Sequence, residues 1–173
     1  VFGVDEGLTQ SVVNCIHVDR YGLIWIGTQN GLNCYDGYRF RQFYHKQADS
    51  LILSDGFISS IAEDTSGSVW VGTRMGINIV NHSEGTIGLI STTSEKLKLP
   101  ENWIRRIVID KNNIAWILTR QYLTQINIGN QTQHIQPWEC STKSQQVSQL
   151  KFSNTGELYF ACEKTVYLYK NNS

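Results

Sequence analysis

Lysine plus arginine and aspartate plus glutamate balance at 15 each over 173 residues, and the basic residues form no run along the chain. A sequence of zero formal charge offers no basic stripe to a nucleic-acid backbone or an anionic lipid surface, so neither is expected as a partner of this segment. No apolar stretch reaches the roughly 20 residues that a membrane-crossing helix needs, and the N-terminus lacks a charged stretch followed by an apolar one.

The chain begins at Val1 rather than Met and reads as an excerpt of a longer protein. Residues 1–4 read as an orphan outer strand ahead of Gly7-Leu8. They complete either a neighbouring unit or the last unit of this chain. The remainder of the chain is one pattern written four times, with a period of about 45 residues, at 8–46, 54–91, 100–136 and 144–170.

In the first copy, D-R-Y-G-L-I-W-I-G-T-Q-N-G-L-N runs from Asp19 to Asn33, with Gly22, Trp25, Gly27, Thr28 and Gly31 as its fixed points. In the second, D-T-S-G-S-V-W-V-G-T-R-M-G-I-N carries Asp64, Gly67, Trp70, Gly72, Thr73 and Gly76 at the same spacing. The third, D-K-N-N-I-A-W-I-L-T, keeps Asp110, Trp116 and Thr119 but has Asn113 for the turn glycine and Leu118 for the later one. The fourth, S-N-T-G-E-L-Y-F-A-C, keeps Gly156 and replaces the tryptophan with Tyr159.

Each copy reads as short strands between tight turns, rich in Val, Ile, Trp and Tyr, with no helical period. The first strand of each has two apolar positions: Val13 and Ile16, Ile58 and Ile61, Ile104 and Ile107, Val147 and Leu150. The Asp-x-x-Gly turn comes next, in which a short acidic side chain bonds the amides ahead of it and glycine takes a positive φ; Asn113 is the next most tolerant residue there. Second strands at 23–28 and 68–73 are too apolar for a sheet with one wet face. Asn30-Gly31 predicts a two-residue hairpin turn and Asp36-Gly37 the turn into a fourth strand at 38–44.

Antiparallel four-stranded sheets covered on both faces by copies of themselves are β-propeller blades. The fold class is therefore all-β, about four blades, read as an open sector of a larger ring, with a small closed ring of four as the other geometry. Trp25, Trp70 and Trp116 become wedges between blades, each indole N–H seeking a nearby carbonyl, and Gly27 and Gly72 permit close backbone approach beside the indoles.

The blades lack the Trp-Asp dipeptide of WD40 and the double glycine of kelch. At D-R-Y-G-L-I-W-I-G-T-Q-N-G-L-N-C-Y-D-G-Y-R-F and E-D-T-S-G-S-V-W-V-G-T-R-M-G-I-N the chain resembles the two-component regulator propeller repeat. The resemblance implies paired seven-bladed propellers in the periplasmic sensor region of an inner-membrane hybrid two-component system of Bacteroides type. It also implies an oligosaccharide from glycan breakdown as ligand, a homodimeric full-length sensor, the remaining blades of the propeller as partners, and a transmembrane helix, the one tie to a membrane, and a histidine kinase that both lie outside these residues.

No paired carboxylates, G-x-S-x-G or Ser-His-Asp set recurs, so no catalytic residue is assigned and the segment is expected to be no enzyme. Cys15, Cys34, Cys140 and Cys162 stand at unrelated places without C-x-x-C spacing, and His17, His45, His82 and His134 are scattered; no metal or cofactor is expected. A protein-interaction scaffold is the alternative to a sensor.

Ligand residues are sought where the repeat leaves positions free: Gln29 and Asn30, Arg74 and Met75, Arg120 and Gln121, all in turns between second and third strands, with the long connections 44–55 and 91–102 on the same face. Arg74 and Arg120 hold equivalent places, and their forks suit the carboxylate or sulfate of an acidic sugar, against which stands a solvated rim role. Trp103 matches Phe57 one blade earlier and reads as packing. Trp138 has no counterpart and reads either as a ligand platform or as a loop anchor.

Overall fold

The computed structural model describes residues 3–45, 53–81, 87–137, 147–162 and 165–169. Every regular element among them is a strand. The first blade holds β1 (Val13–Val18), β2 (Ile24–Thr28), β3 (Gly31–Tyr35) and β4 (Phe40–Phe43), and the second β5 (Ser60–Glu63), β6 (Ser68–Gly72), β7 (Ile77–Asn81) and β8 (Ile87–Ile90). The third holds β9 (Arg106–Ile109), β10 (Ile114–Leu118), β11 (Tyr122–Asn127) and β12 (Thr132–Pro137), and the fourth β13 (Val147–Phe152), β14 (Leu158–Cys162) and β15 (Thr165–Leu168). Each sheet is an antiparallel meander in chain order, three of four strands and one of three.

Blades pack face to face through the tryptophans. Trp25, Leu32 and Cys34 meet Ile58, Val69, Val71 and Val80 at the first seam. At the second, Trp70 and Ile77 meet Ile104, Ala115, Ile117 and Ile126, and at the third Trp116 and Leu118 meet Leu150 and Leu158. Burying a tryptophan and its aliphatic neighbours removes most of 150–250 Å² from water per indole, so these seams dominate the stability.

The first strands lie side by side in the order β1, β5, β9, β13, and among the described residues β13 makes no contact with β1. The arc is open. Ile16, on β1, is 63% exposed, whereas Ile107 and Leu150, its equivalents, are 3% and 4% exposed. The difference has a simple cause: Trp70 and Trp116 of the preceding blades cover the latter two, and no described blade precedes the first. Gly3 and Val4 lie in a turn, with Gly7 N donating to Val4 O and Leu8 N to Gly3 O, so this part of residues 1–4 is not the outer strand expected; Val1 and Phe2 lie outside the described residues.

The repeat letters resolve into local chemistry. Asp19 Oδ1 accepts the amides of Tyr21 and Leu23, while its Oδ2 accepts Trp25 Nε1 at 2.8 Å. Asp64 does the same for Ser66, Ser68 and Trp70, and Asp110 for Asn112, Ile114 and Trp116. The indole partner is thus a carboxylate, not the carbonyl expected, because the turn already aims Oδ2 into the seam. Gly22, Gly67, Asn113 and Gly156 all take φ between 61° and 87°, as the turn requires.

Gly27 and Gly72 face something other than the indoles. A Cβ on Gly27 would stand 2.5 Å from Ile58 Cγ2, and one on Gly72 2.7 Å from Ile104 Cγ2, so each glycine admits the first isoleucine of the next blade.

The hairpin of the first blade also differs from expectation. Thr28 pairs with Gly31, so Gln29-Asn30 are the turn residues and Gly31 opens β3 with φ 133°. The threonine closes the turn: Thr28 Oγ1 donates to Gly31 O and accepts Asn30 N, as Thr73 does with Gly76 and Met75. Thr28 further shares a hydrogen bond with Thr9 Oγ1, which also accepts from Asn33 Nδ2; Thr73, Ser54 and Asn78 repeat the network. In the third blade Pro100 and Thr124 stand where Ser54 and Asn78 did, and Thr124 Oγ1 is buried without a partner.

Candidate functional site

A meander of this kind places the turns β2–β3, β6–β7 and β10–β11 at one end, together with the connections from each blade to the next. The backbone confirms this: Gly31 N donates to Gly56 O, Ile58 N to Thr28 O, and Ile104 N to Thr73 O. Gln29, Asn30, Arg74, Met75, Arg120 and Gln121 are therefore on one face, and all six are exposed.

Three arginines gather at the seam between the second and third blades. The Arg74 guanidinium lies 4.1 Å from the ring centre of Phe57 and 5.7 Å from that of Trp103. Arg105 lies 3.9 Å from the same Trp103 ring. Arg120 enters by its charge: partial burial first, and then the charge of Arg120, lower the pKa of Arg105, against the opposing pull of Glu101, with Arg106 adding to the lowering. Glu101 holds the β10–β11 turn, its Oε2 accepting Arg120 N and Gln121 N at 2.9 and 3.1 Å.

Trp103 and Arg105 join this cluster although the sequence placed neither among the candidate ligand residues. Trp103 is 42% exposed and, like its equivalent Phe57, packs against the arginine side chains of the cluster. Arg105 directly succeeds Ile104, and the buried isoleucine fixes it at the seam; only the period of the repeat could have brought it next to Arg74. Neither Arg74 nor Arg105 is a freely solvated rim residue, since each guanidinium face covers an aromatic ring. The even spread of basic residues along the sequence hides this local concentration.

Stacking uses the flat face of a guanidinium and leaves its edge of N–H donors available. Among the described residues, Arg74, Arg105 and Arg120 have no carboxylate within ion-pair distance and donate no side-chain hydrogen bond, and Arg105 Nε is buried without an acceptor. Glu63, by contrast, is engaged by Arg20 at 2.6 Å. Gln29 and Asn30 sit one blade away and make no described contact with the cluster. Trp138 lies outside the described residues.

The opposite end carries the Asp turns and a cavity of about 300 Å³ between the first strands, reached by His17, Glu63 and Lys151. Its carboxylate is already committed to Arg20 across the first seam. Among the described residues no group of His, Cys, Asp and Glu is arranged to hold a metal ion. No described helix is long and apolar enough to cross a membrane.

Two of the four copies have a likeness among known protein families. Residues 7–30 and 52–75 match the family model described as two component regulator propeller. Over 49 residues, 28% of this chain and 4% of that protein, the sequence is 41% identical to Histidine kinase P4 of Formosa agariphila. The fold superposes on the extracellular domain of a hybrid two-component system from B. thetaiotaomicron with a TM-score of 0.76 at 21% identity, over 98% of this chain and 26% of that one. It also superposes on virginiamycin B lyase from Staphylococcus aureus with a TM-score of 0.66 at 15% identity, over 96% of this chain and 58% of that one. The chain spans a small part of the kinase it matches and about a quarter of that extracellular domain. The likenesses at 21% and 15% identity concern the fold.

Proposed function

We propose that this chain, built on two-component regulator propeller repeats, is an extracytoplasmic, non-catalytic ligand-sensing segment of a hybrid two-component sensor, and that its ligand is an oligosaccharide. The observation that carries the reading is the seam of Phe57, Arg74, Trp103 and Arg105, an exposed aromatic plane rimmed by hydrogen-bond donors that nothing in the described chain uses. A rigid scaffold of repeated seams holding variable turns on one face is how propellers present ligand sites. The family match at 7–30 and 52–75 supports the sensor context, and extracellular neighbours of the same fold support a periplasmic location.

The open arc supports further blades of the same propeller on both sides, in a ring of seven, and a homodimeric sensor completes the proposal. Ligand binding would then alter how sensor domains pack and so reach a kinase beyond the membrane. A thermal-shift screen of the purified chain against neutral and acidic oligosaccharides tests the reading. A raised Tm with one class of glycan supports it. No shift with any glycan, together with a stable complex with another protein, replaces it with an interaction scaffold.

A further inference from the structure

We infer that the ligand at the second seam is an acidic oligosaccharide, its uronate or sulfate group held by the edges of Arg74 and Arg105 beside the exposed ring of Trp103. The inference rests on the proposed sensing function and narrows it to a charge class.

Three observations converge on a negative ligand. The protein has no formal net charge, yet Arg74 and Arg105 share the ring of Trp103, and the charges of Arg120 and Arg106 both reach Arg105. Like charges brought together repel, and a fold keeps such an arrangement where an opposite charge relieves it. The described carboxylate at the seam, Glu101, spends one oxygen on two backbone amides of the β10–β11 turn and forms no ion pair with these arginines. Arg106 is turned aside, its NH1 donating to Ser59 O and Arg105 O.

The aromatic rings say why the anion is carried on a sugar rather than being a free ion. The guanidinium carbons of Arg74 and Arg105 lie 4.1 Å and 3.9 Å from the ring centres of Phe57 and Trp103, and a planar fork held beside a ring suits the two oxygens of a carboxylate or sulfate. Beside its contact with Arg105, Trp103 still exposes 42% of its surface, apolar area that an inorganic ion would leave wet and that the carbon body of a pyranose would cover. The mixture of plane and fork differs from the base-stacking and phosphate contacts of nucleic-acid grooves in its small extent: one seam, without a basic track to either side.

The test is calorimetric titration of the purified chain with tetragalacturonate, a chondroitin sulfate tetrasaccharide, cellotetraose and tetraglutamate, in wild type, Arg74→Ala, Arg74→Lys and Trp103→Ala. Arg74 and Trp103 are exposed, so the variants are expected to fold, and the unfolding midpoint of each variant beside wild type controls for disturbance of the seam. The expected result is binding of one acidic tetrasaccharide, the carboxylate and sulfate arms saying which. Arg74→Ala and Trp103→Ala should each weaken it by tenfold or more, and Arg74→Lys, which keeps the charge and loses the fork, by severalfold. Binding should also weaken as salt rises. Equal binding of cellotetraose overturns the charge class and leaves the sensing reading standing. Equal binding of tetraglutamate overturns the sugar-specific site. Binding of an acidic tetrasaccharide that neither Arg74→Ala nor Trp103→Ala weakens overturns the location, and no binding of any tetrasaccharide overturns this inference and the broader reading together.

Discussion

Trp25 Nε1 donates to Asp19 Oδ2 at 2.8 Å in the buried interior of the first blade, so the two most conspicuous letters of the repeat are one structural unit. The carboxylate binds the turn with one oxygen and the wedge with the other. The fourth blade shows the pair changing together: Ser153 stands for the aspartate, its Oγ accepting Glu157 N, and Tyr159 stands for the tryptophan, its hydroxyl donating to Glu157 Oε2. A serine hydroxyl is too short to serve both turn and ring, and the tyrosine finds its own acceptor.

The coupling is measurable in the second blade. Asp64→Ala strands the donors of Ser66, Ser68 and Trp70 and should cost about 1–3 kcal/mol or more, each stranded buried donor contributing at that scale. Trp70→Phe removes the indole donor and leaves a carboxylate oxygen unpaired. A double-mutant cycle by denaturant unfolding should give a coupling energy of about 0.5–3 kcal/mol, and strict additivity would show that the two residues act separately.

Gly72→Ala places a methyl 2.7 Å from Ile104 Cγ2 and should lower stability by about 1–3 kcal/mol through overpacking of the seam. Ile104→Ala, which removes the Cγ2 that the methyl would strike, should therefore cost less in the Gly72→Ala background than in wild type. An unchanged unfolding midpoint in Gly72→Ala would refute the close approach.

Thr124 Oγ1 is buried without a partner, the remnant of a network that Asn33 and Asn78 complete in the first two blades. Replacing it with valine keeps the volume and removes an unsatisfied hydroxyl, so Thr124→Val should raise stability by about 1 kcal/mol. The same change at Thr73, which serves Gly76, Met75 and Ser54, should lower it. Chemical denaturation of the two variants separates these signs.

Burial pushes the thiols of Cys15 and Cys34 up to about 11 from the usual 9.0; the charge of Asp19 raises Cys34 further, and Arg106 opposes the rise at Cys15. Both are higher in the folded state, so their contribution is intact below pH 9 and is lost as pH climbs from 9 towards 11. Unfolding midpoints should fall over that window in wild type and fall less in Cys15→Ala. Near pH 7 the native thiols should react slowly with a disulfide reagent and rapidly once the chain is denatured.

The architecture was legible because it is periodic: turn, wedge and hairpin recur, and the spacing of Trp25, Trp70 and Trp116 locates every seam. Asn113 could be read as a left-handed residue because the other copies have glycine there. What could not be read was the group each side chain faces. Trp25 was given a carbonyl instead of Asp19, and Gly27 an indole instead of Ile58, since sequence spacing states what a residue resembles and not what it faces. The site shows the same limit. Arg74 was found as a free position of the repeat, but Arg105 and Trp103 flank a core residue, Ile104, and their meeting with Arg74 exists only once two blades are packed.

The repeated residues build the scaffold, and ligand is proposed to bind where the copies differ, at the second seam. Amide hydrogen exchange of the purified chain with and without saturating acidic tetrasaccharide tests this division of labour most directly. The expected result is slowed exchange in the β6–β7 and β10–β11 turns and in the connection 91–105, with the Asp turns at 19–22, 64–67 and 110–113 unchanged. Protection confined to the Asp-turn end, or spread evenly over all the blades, would contradict it.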